Sequence, residues 1–201
     1  MLDRTNIDVQ PGISAVLLPC HDLDGAVLDL AAVLGGLVGE RFEIILVCDD
    51  TPTEVASLRA RAPHLPLRIV GGTTSAAGCE AASYDTLFVA AGDGQFDVRE
   101  LNHLFDAVEL GVEVAIGYRP RRIDALVRRL LHWGLSVEVD CAFALLRRHV
   151  WAALAPKAFT RCHCAELISD ARRLGYRVVE VPVSNRRPAI GVPLPLSSHA
   201  A

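Results

Sequence analysis

The chain has 201 residues, 51% of them hydrophobic and 22% charged, with a formal net charge of −4. That is length and apolar content for one packed domain, and it excludes an intrinsically disordered chain. The slight acidity gives no reason to expect nucleic acid as a partner, and no apolar run reaches the ~20 residues that a bilayer-spanning helix needs. Strand and helix patterns then alternate along the sequence. Ser14–Leu18 is a short apolar run ending at Pro19, a first strand. Val27, Leu30, Ala31, Leu34 and Leu37 recur at helical spacing, with Gly35-Gly36 weakening the end of that helix. Glu43–Cys48 is a second strand, Thr53–Ala62 a helix, Leu65–Val70 a third strand closed by Gly71-Gly72, and Thr74–Ala82 a short helix of small residues.

Asp85–Ala91 forms the fourth strand, and Asp97 caps the helix after it, with Glu100 placed to complete a capping box. Leu101, Leu104, Phe105 and Val108 form the apolar face of that helix. Val112–Gly117 is the fifth strand, Arg122–Leu135 is helical, and Val139–Leu146 is a strand followed by a short helix through Trp151. Ala165–Leu174 is a helix stopped by Gly175, and Tyr176–Val183 is the last strand. This alternation predicts an α/β fold: a single domain with a central, mostly parallel sheet and helices on both faces. Residues 1–13 read as an N-terminal extension, 14–185 as the domain, and 186–201, rich in Pro and Ser, as a loose tail.

In such sheets ligands bind off the carboxyl ends of the strands. Acidic residues gather there in this sequence: Asp22 after the first strand, Asp49 and Asp50 after the second, and Asp93 after the fourth, with Arg119 following the fifth. Any one Asp in such a loop is commonly a helix cap. Several carboxylates and an arginine at one rim suit a metal–diphosphate ligand. The fourth strand makes the sharpest case, because Leu87–Ala90 stops at Gly92-Asp93-Gly94-Gln95, where glycines admit a close approach of ligand to backbone.

The cysteines Cys20, Cys48, Cys79, Cys141, Cys162 and Cys164 are scattered, and Met1–Gln10 is too polar for a secretory leader, so reduced thiols in a cytoplasmic protein are expected. Cys162-His163-Cys164 has the outline of a metal clip but lacks a second ligand pair at zinc spacing. His21, His103, His132 and His149 lie in unrelated contexts and read as surface or packing residues.

Taken in order, Pro19-Cys20-His21-Asp22, Val47-Cys48-Asp49-Asp50, Gly92-Asp93-Gly94-Gln95-Phe96-Asp97, Gly117-Tyr118-Arg119, Val139-Asp140-Cys141-Ala142-Phe143 and Glu180-Val181-Pro182-Val183 resemble glycosyltransferase family 2. The resemblance runs from about Ser14 to Gly191 and is strongest to the polyprenol-phosphate branch of that family. It implies a GT-A (Rossmann-like) fold and an inverting transfer of sugar from a nucleotide-sugar donor to a polyprenyl phosphate or a small-molecule acceptor. By position it implies that Pro19, Asp22, Asp49 and Asp50 bind the nucleotide sugar, and that Arg119 and Arg187 bind phosphate. Asp93 and Gln95 would hold Mg²⁺ or Mn²⁺, and Asp93 and Asp140 would be catalytic.

The chain departs from the family pattern at four places. Ala91 stands where the first Asp of the metal motif is expected, Leu23 at a position acidic in the family, Thr51-Pro52 in place of Gly-Ser, and Ala144 in place of a lysine. The alternative reading is therefore a catalytically impaired homologue that binds nucleotide or a partner protein. A nucleotidyltransferase on a related sheet would want a Gly-rich, basic loop after the first strand, and Pro19–Asp24 is neither. The stretch 121–137 combines Arg121, Arg122, Arg128 and Arg129 with Leu126, Leu130, Leu131 and Trp133. It reads either as a helix with one face on the core or as peripheral contact with the inner face of a membrane, where a polyprenyl phosphate would be presented.

Overall fold

The apolar strand segments are hydrophobic at consecutive positions, so a sheet built from them needs cover on both faces. A computed structural model of the protein describes residues 10–18, 23–48, 53–91, 96–118, 143–154 and 164–184. In chain order the described elements are β1 (Gln10–Leu18), α1 (Leu23–Val38), β2 (Phe42–Val47), α2 (Thr53–Arg61), β3 (Leu67–Val70), α3 (Ser75–Ala81) and β4 (Tyr84–Ala91). A 3-10 turn (Val98–Glu100) leads into α4 (Leu101–Glu109), followed by β5 (Val114–Tyr118), β6 (Phe143–Arg147), α5 (Arg148–Leu154), α6 (Cys164–Arg173) and β7 (Val178–Pro182). The helix read over 122–135 lies outside the described residues.

The strands form one seven-stranded sheet in the order β3-β2-β1-β4-β6-β5-β7. All neighbours are parallel except β6, which runs antiparallel to both β4 and β5. The carboxyl ends of β1, β2, β3, β4, β5 and β7 therefore share one rim, and β6 starts there. Strand order reverses between β1 and β4, the place where open α/β sheets leave a crevice.

Side chains alternate cleanly between the faces. Ile13, Ala15 and Leu17 of β1, Ile44 and Leu46 of β2 and Phe88 and Ala90 of β4 join one core with Val27, Leu30 and Leu34 of α1, Val55 and Leu58 of α2, and Leu101 and Leu104 of α4. Val16, Ile45, Val47, Leu87 and Val89 point the other way, onto Cys79 of α3, Val150 and Trp151 of α5, and Ile168 and Ala171 of α6. The two-sided cover expected from the apolar runs is what forms.

Several element ends differ from the pattern reading. β1 begins at Gln10, ahead of the apolar run, because its early residues are recruited by neighbours: the Gly12 N–H donates to Asp85 Oδ1 at 3.0 Å, and the Ile13 N–H to the Arg41 carbonyl at 3.0 Å. Gly12 is required there, since a Cβ would stand 2.3 Å from the Arg41 carbonyl oxygen and 2.4 Å from the Tyr84 ring. α1 runs straight through Gly35 and Gly36, which are exposed, and stops at Gly39, whose φ is +64°. Its buried face holds the helix despite the glycine pair. α6 stops at Gly175 as expected: φ is +87°, the Gly175 N–H bonds the Arg172 carbonyl and the Tyr176 N–H bonds the Ala171 carbonyl, both at 3.0 Å, a Schellman closure.

The capping box is formed differently. Asp97 Oδ1 accepts the Arg99 N–H at 3.1 Å, as a cap should, but the Glu100 carboxylate turns to Ser184 beyond β7, accepting its N–H and its hydroxyl at 2.6 Å each.

Candidate active site at the carboxyl rim of the sheet

The carboxyl rim is level across its centre. Leu18, the last residue of β1, pairs with Ala91, the last of β4, while Leu17 pairs with Leu46 next to the end of β2. On the other side Tyr118 of β5 pairs with Pro182 of β7, and Phe143 at the start of β6 pairs with Ala90. All the residues expected to form the site, Pro19, Asp22, Asp49, Asp50, Asp93, Gln95, Arg119, Asp140 and Arg187, lie outside the described residues. In the sequence, Pro19 directly follows Leu18, Asp49 follows Val47 by two, Asp93 follows Ala91 by two, Arg119 directly follows Tyr118, and Asp140 precedes Phe143 by three. One residue advances the chain by at most about 3.8 Å, so each segment is tethered to a strand end on this rim.

Beneath the rim the described residues make an aromatic floor that the sequence reading did not single out. Phe96, which directly follows Gln95 in the sequence, is buried and stacks on Phe143 with centroids 5.1 Å apart and planes inclined by 19°. Phe88 meets Phe143 edge-on, also at 5.1 Å. The available signal was that Phe96 and Phe143 each adjoin a motif, whereas their contact joins positions far apart in the chain.

Ala91 is half-buried and its side chain is a methyl group, so β4 contributes no side-chain oxygen from that position. Among the described residues no group of three or more His, Cys, Asp or Glu side chains is placed to hold a metal ion. The donors expected at the turn, the Asp93 carboxylate and the Gln95 amide oxygen, are oxygens only. That set fits a hard cation such as Mg²⁺ or Mn²⁺, which takes one or two protein carboxylates and completes its shell with phosphates and water. Of the Cys162-His163-Cys164 clip, the first two residues lie outside the described residues. Cys79 is buried, and burial, with the Glu80 charge nearby, pushes its thiol up to about 12, so it is inert packing.

The amino-end rim is also rich in charge, but there the charges engage one another. The Glu43 side chain, 8% exposed, receives the Ser14 hydroxyl at 2.8 Å, Arg68 Nη1 at 2.8 Å and the Ser83 N–H at 2.6 Å. Burial pushes its carboxyl up, and the bonds from Arg68, Ser14 and Ser83 outweigh that and hold it below the usual range. Arg147 Nη1 donates to Thr86 Oγ1 at 2.8 Å and lies 3.5 Å from Asp85, with Nη2 3.7 Å from Glu109. Glu113 accepts the Arg177 N–H at 2.9 Å, which lowers its carboxyl, and lies 3.4 Å from His149 Nε2. An open cavity of about 380 Å³ at this end is lined by Glu43, Arg68 and Ser83 of this network together with Phe42, Leu65 and Tyr84.

No family model matches the chain, and no curated protein matches it by sequence. Solved structures do resemble it. A mannosyltransferase from Pyrobaculum calidifontis in complex with GDP-Man and Mn²⁺ superposes with a TM-score of 0.63 at 16% identity, over 93% of this chain and 61% of that one. Glucosyl-3-phosphoglycerate synthase from Mycobacterium tuberculosis in complex with UDP gives a TM-score of 0.62 at 18% identity, over 92% of this chain and 74% of that one. The 4-diphosphocytidyl-2C-methyl-D-erythritol synthase from Anaerococcus prevotii gives 0.59 at 14% identity, over 90% of each chain. The chain thus spans less than two thirds of the mannosyltransferase's length. What it shares with these proteins is the fold: the mostly parallel, Rossmann-like α/β sheet of GT-A glycosyltransferase structures.

Proposed function

We propose that the protein is a family 2-type glycosyltransferase that moves a sugar, with inversion, from a nucleotide-sugar donor to a polyprenyl phosphate. The observation that carries this reading is the register of the rim. The ends of β1 and β4 are level at the switch point, with β2 beside β1. The segments that follow all three carry the acidic residues matched to the family's donor site. The likeness in fold to proteins solved with GDP-Man and Mn²⁺, or with Mn²⁺, UDP-Glc and glycerol 3-phosphate, supports the same reading.

In this scheme Pro19, Asp22, Asp49 and Asp50 hold the nucleoside and its ribose. Arg119 and Arg187 engage the diphosphate, where guanidinium groups match phosphate bidentately. Asp93 and Gln95 hold a divalent cation, whose chemistry when bound is to neutralise charge that gathers on the departing nucleoside diphosphate. A lipid-phosphate oxygen is already anionic and needs no base. With a hydroxyl acceptor, Asp140 takes the proton. The stretch 121–137 rests its apolar side on a membrane surface and its arginines on anionic headgroups, placing the protein at the cytoplasmic face. Among the described residues no helix is long and apolar enough to cross a membrane.

Ala91 favours a second reading, a homologue that has kept nucleotide or partner binding and lost turnover, because it removes one carboxylate from the metal turn. The experiment that separates the two is a thermal-shift screen of nucleotide sugars with and without Mn²⁺. It is followed by measurement of nucleoside diphosphate release against a polyprenyl phosphate. Mn²⁺-dependent stabilisation with release supports the transferase, stabilisation without release supports a nucleotide binder, and no stabilisation by any donor overturns the transferase and the nucleotide binder alike.

A further inference from the structure

Arg68 is bound through one amino group only. Its Nη1 faces three acceptors: Glu43 Oε2 at 2.8 Å, the Ala81 carbonyl at 3.0 Å and Ser83 Oγ at 3.2 Å. That group has only two hydrogens to give, so it is fully used. Among the described residues no hydrogen bond or ion pair engages Nε or Nη2 of Arg68. Nε–H and the neighbouring Nη2–H form the side of a guanidinium that meets an anion's two oxygens with parallel bonds. The Arg68 side chain is 47% exposed, so a solute can reach it.

This arginine lines the open cavity of about 380 Å³ at the amino end of the sheet. The volume is at the lower end of the range that small-molecule sites occupy, and the mixture of apolar walls with a few polar groups is the usual one. Phe42, Leu65, Pro66, Leu67 and Tyr84 supply the apolar walls. Glu43 would repel an anion, but its carboxylate is already covered by the Ser14 hydroxyl, the Ser83 N–H and Arg68 Nη1. Arg59 adds a second cation on the β3 side, with Nη2 3.5 Å from the Leu67 carbonyl. β2 runs from Phe42 to Val47, so the cavity and the carboxyl rim are separated by roughly 17 Å of strand.

We propose that this cavity is a second binding site, for a small carboxylate with a flat apolar body. The free side of Arg68 holds the carboxylate, and the body lies against Phe42, Leu65 and Tyr84. A bare phosphate would satisfy the arginine but leave those walls wet, whereas a neutral ring would cover the walls and leave the arginine unmatched. The combination selects a ligand that carries both features. The inference stands apart from the glycosyltransferase reading, because no residue of the cavity belongs to the proposed donor site.

The test titrates the full chain with three probes, benzoate, benzyl alcohol and inorganic phosphate, and follows backbone amides by NMR. Benzoate should shift the amides of Leu67, Arg68, Ser83 and Tyr84 along a saturating curve. Benzyl alcohol and phosphate should each bind about tenfold more weakly, since each lacks one of the two features. Arg68→Lys keeps a cation beside Glu43 but has no fork, and should weaken benzoate by about tenfold. Absence of saturating shifts, or shifts confined to Leu18, Val47 and Ala91 at the other rim, overturns the site. Equal binding of benzyl alcohol, or unaltered benzoate affinity in Arg68→Lys, overturns the role of the arginine. Equal binding of phosphate overturns the role of the apolar walls. If Arg68→Lys does not fold, the three probes compared on the wild type decide the matter.

Discussion

The two ends of the sheet carry similar charged residues, and the proposed function has them used in opposite ways. At the amino end Glu43, Arg68, Asp85, Arg147 and Glu113 are engaged with each other, with backbone amides or with hydroxyls. At the carboxyl end Asp22, Asp49, Asp50 and Asp93 follow strands whose ends are brought level by the β-ladder. Charge at a strand end therefore says little until its partners are known. A carboxylate with several internal donors is held for stability, whereas one at the end of a parallel strand beside the switch point is placed where ligands bind.

The comparison is broken most directly by Asp93→Asn. Mn²⁺-dependent affinity for a nucleoside diphosphate is expected to fall by about 100-fold, near 2.7 kcal/mol, with no change in thermal midpoint of the free protein. Calorimetry showing equal affinity would place the carboxyl rim in the same class as the amino rim. Glu43→Ala tests the converse. It leaves Arg68 and the Ser83 N–H without their acceptor, and a loss of about 2–3 kcal/mol in unfolding free energy is expected, with nucleoside diphosphate affinity per folded molecule unchanged.

The same carboxylate sets a pH dependence. Its folded value lies below the ordinary 4.5, so the unfolded chain binds more protons between the two values. Its contribution to stability is complete above 4.5 and is lost as pH falls through the folded value. In Glu43→Gln the acid limb of the stability curve should be shallower than in wild type, and superimposable curves would remove Glu43 from the account.

Ala91→Asp adds a carboxylate two residues before Asp93, where the proposed donor site would hold its cation. It should tighten Mn²⁺ binding about tenfold, or 1.4 kcal/mol, and raise nucleoside diphosphate release in proportion if the wild type turns over at all. A tighter metal site with no release in either protein would favour the binder. The smallest effect is expected away from both rims. At Gly35 and Gly36 an added Cβ meets nothing within 4 Å, so Gly35→Ala and Gly36→Ala should each stabilise α1 by about 0.5–1 kcal/mol without touching ligand affinity. Chemical denaturation resolves that change.

Much of the architecture was legible as pattern. The apolar runs at Glu43–Cys48 and Asp85–Ala91 needed two-sided cover, and Gly175 marked a helix end, because strand burial and helix closure are written in neighbouring residues. Glu100 shows where local pattern misleads. Three residues after Asp97 it looked like half of a capping box, but Ser184, 84 positions away, presents an N–H and a hydroxyl to it. A carboxylate goes to whichever donors the fold brings nearest.

From sequence alone came the class of fold, the alternation of elements and the set of acidic and basic residues that a donor site would use. Spacing along the chain records periodicity and the order of motifs. What the tertiary structure decided was which strand ends meet. It set the antiparallel β6 between β4 and β5, levelled Leu18 with Ala91, and closed Phe96 onto Phe143. Those pairings depend on sheet order and on contacts between residues tens of positions apart. No local window of sequence contains them.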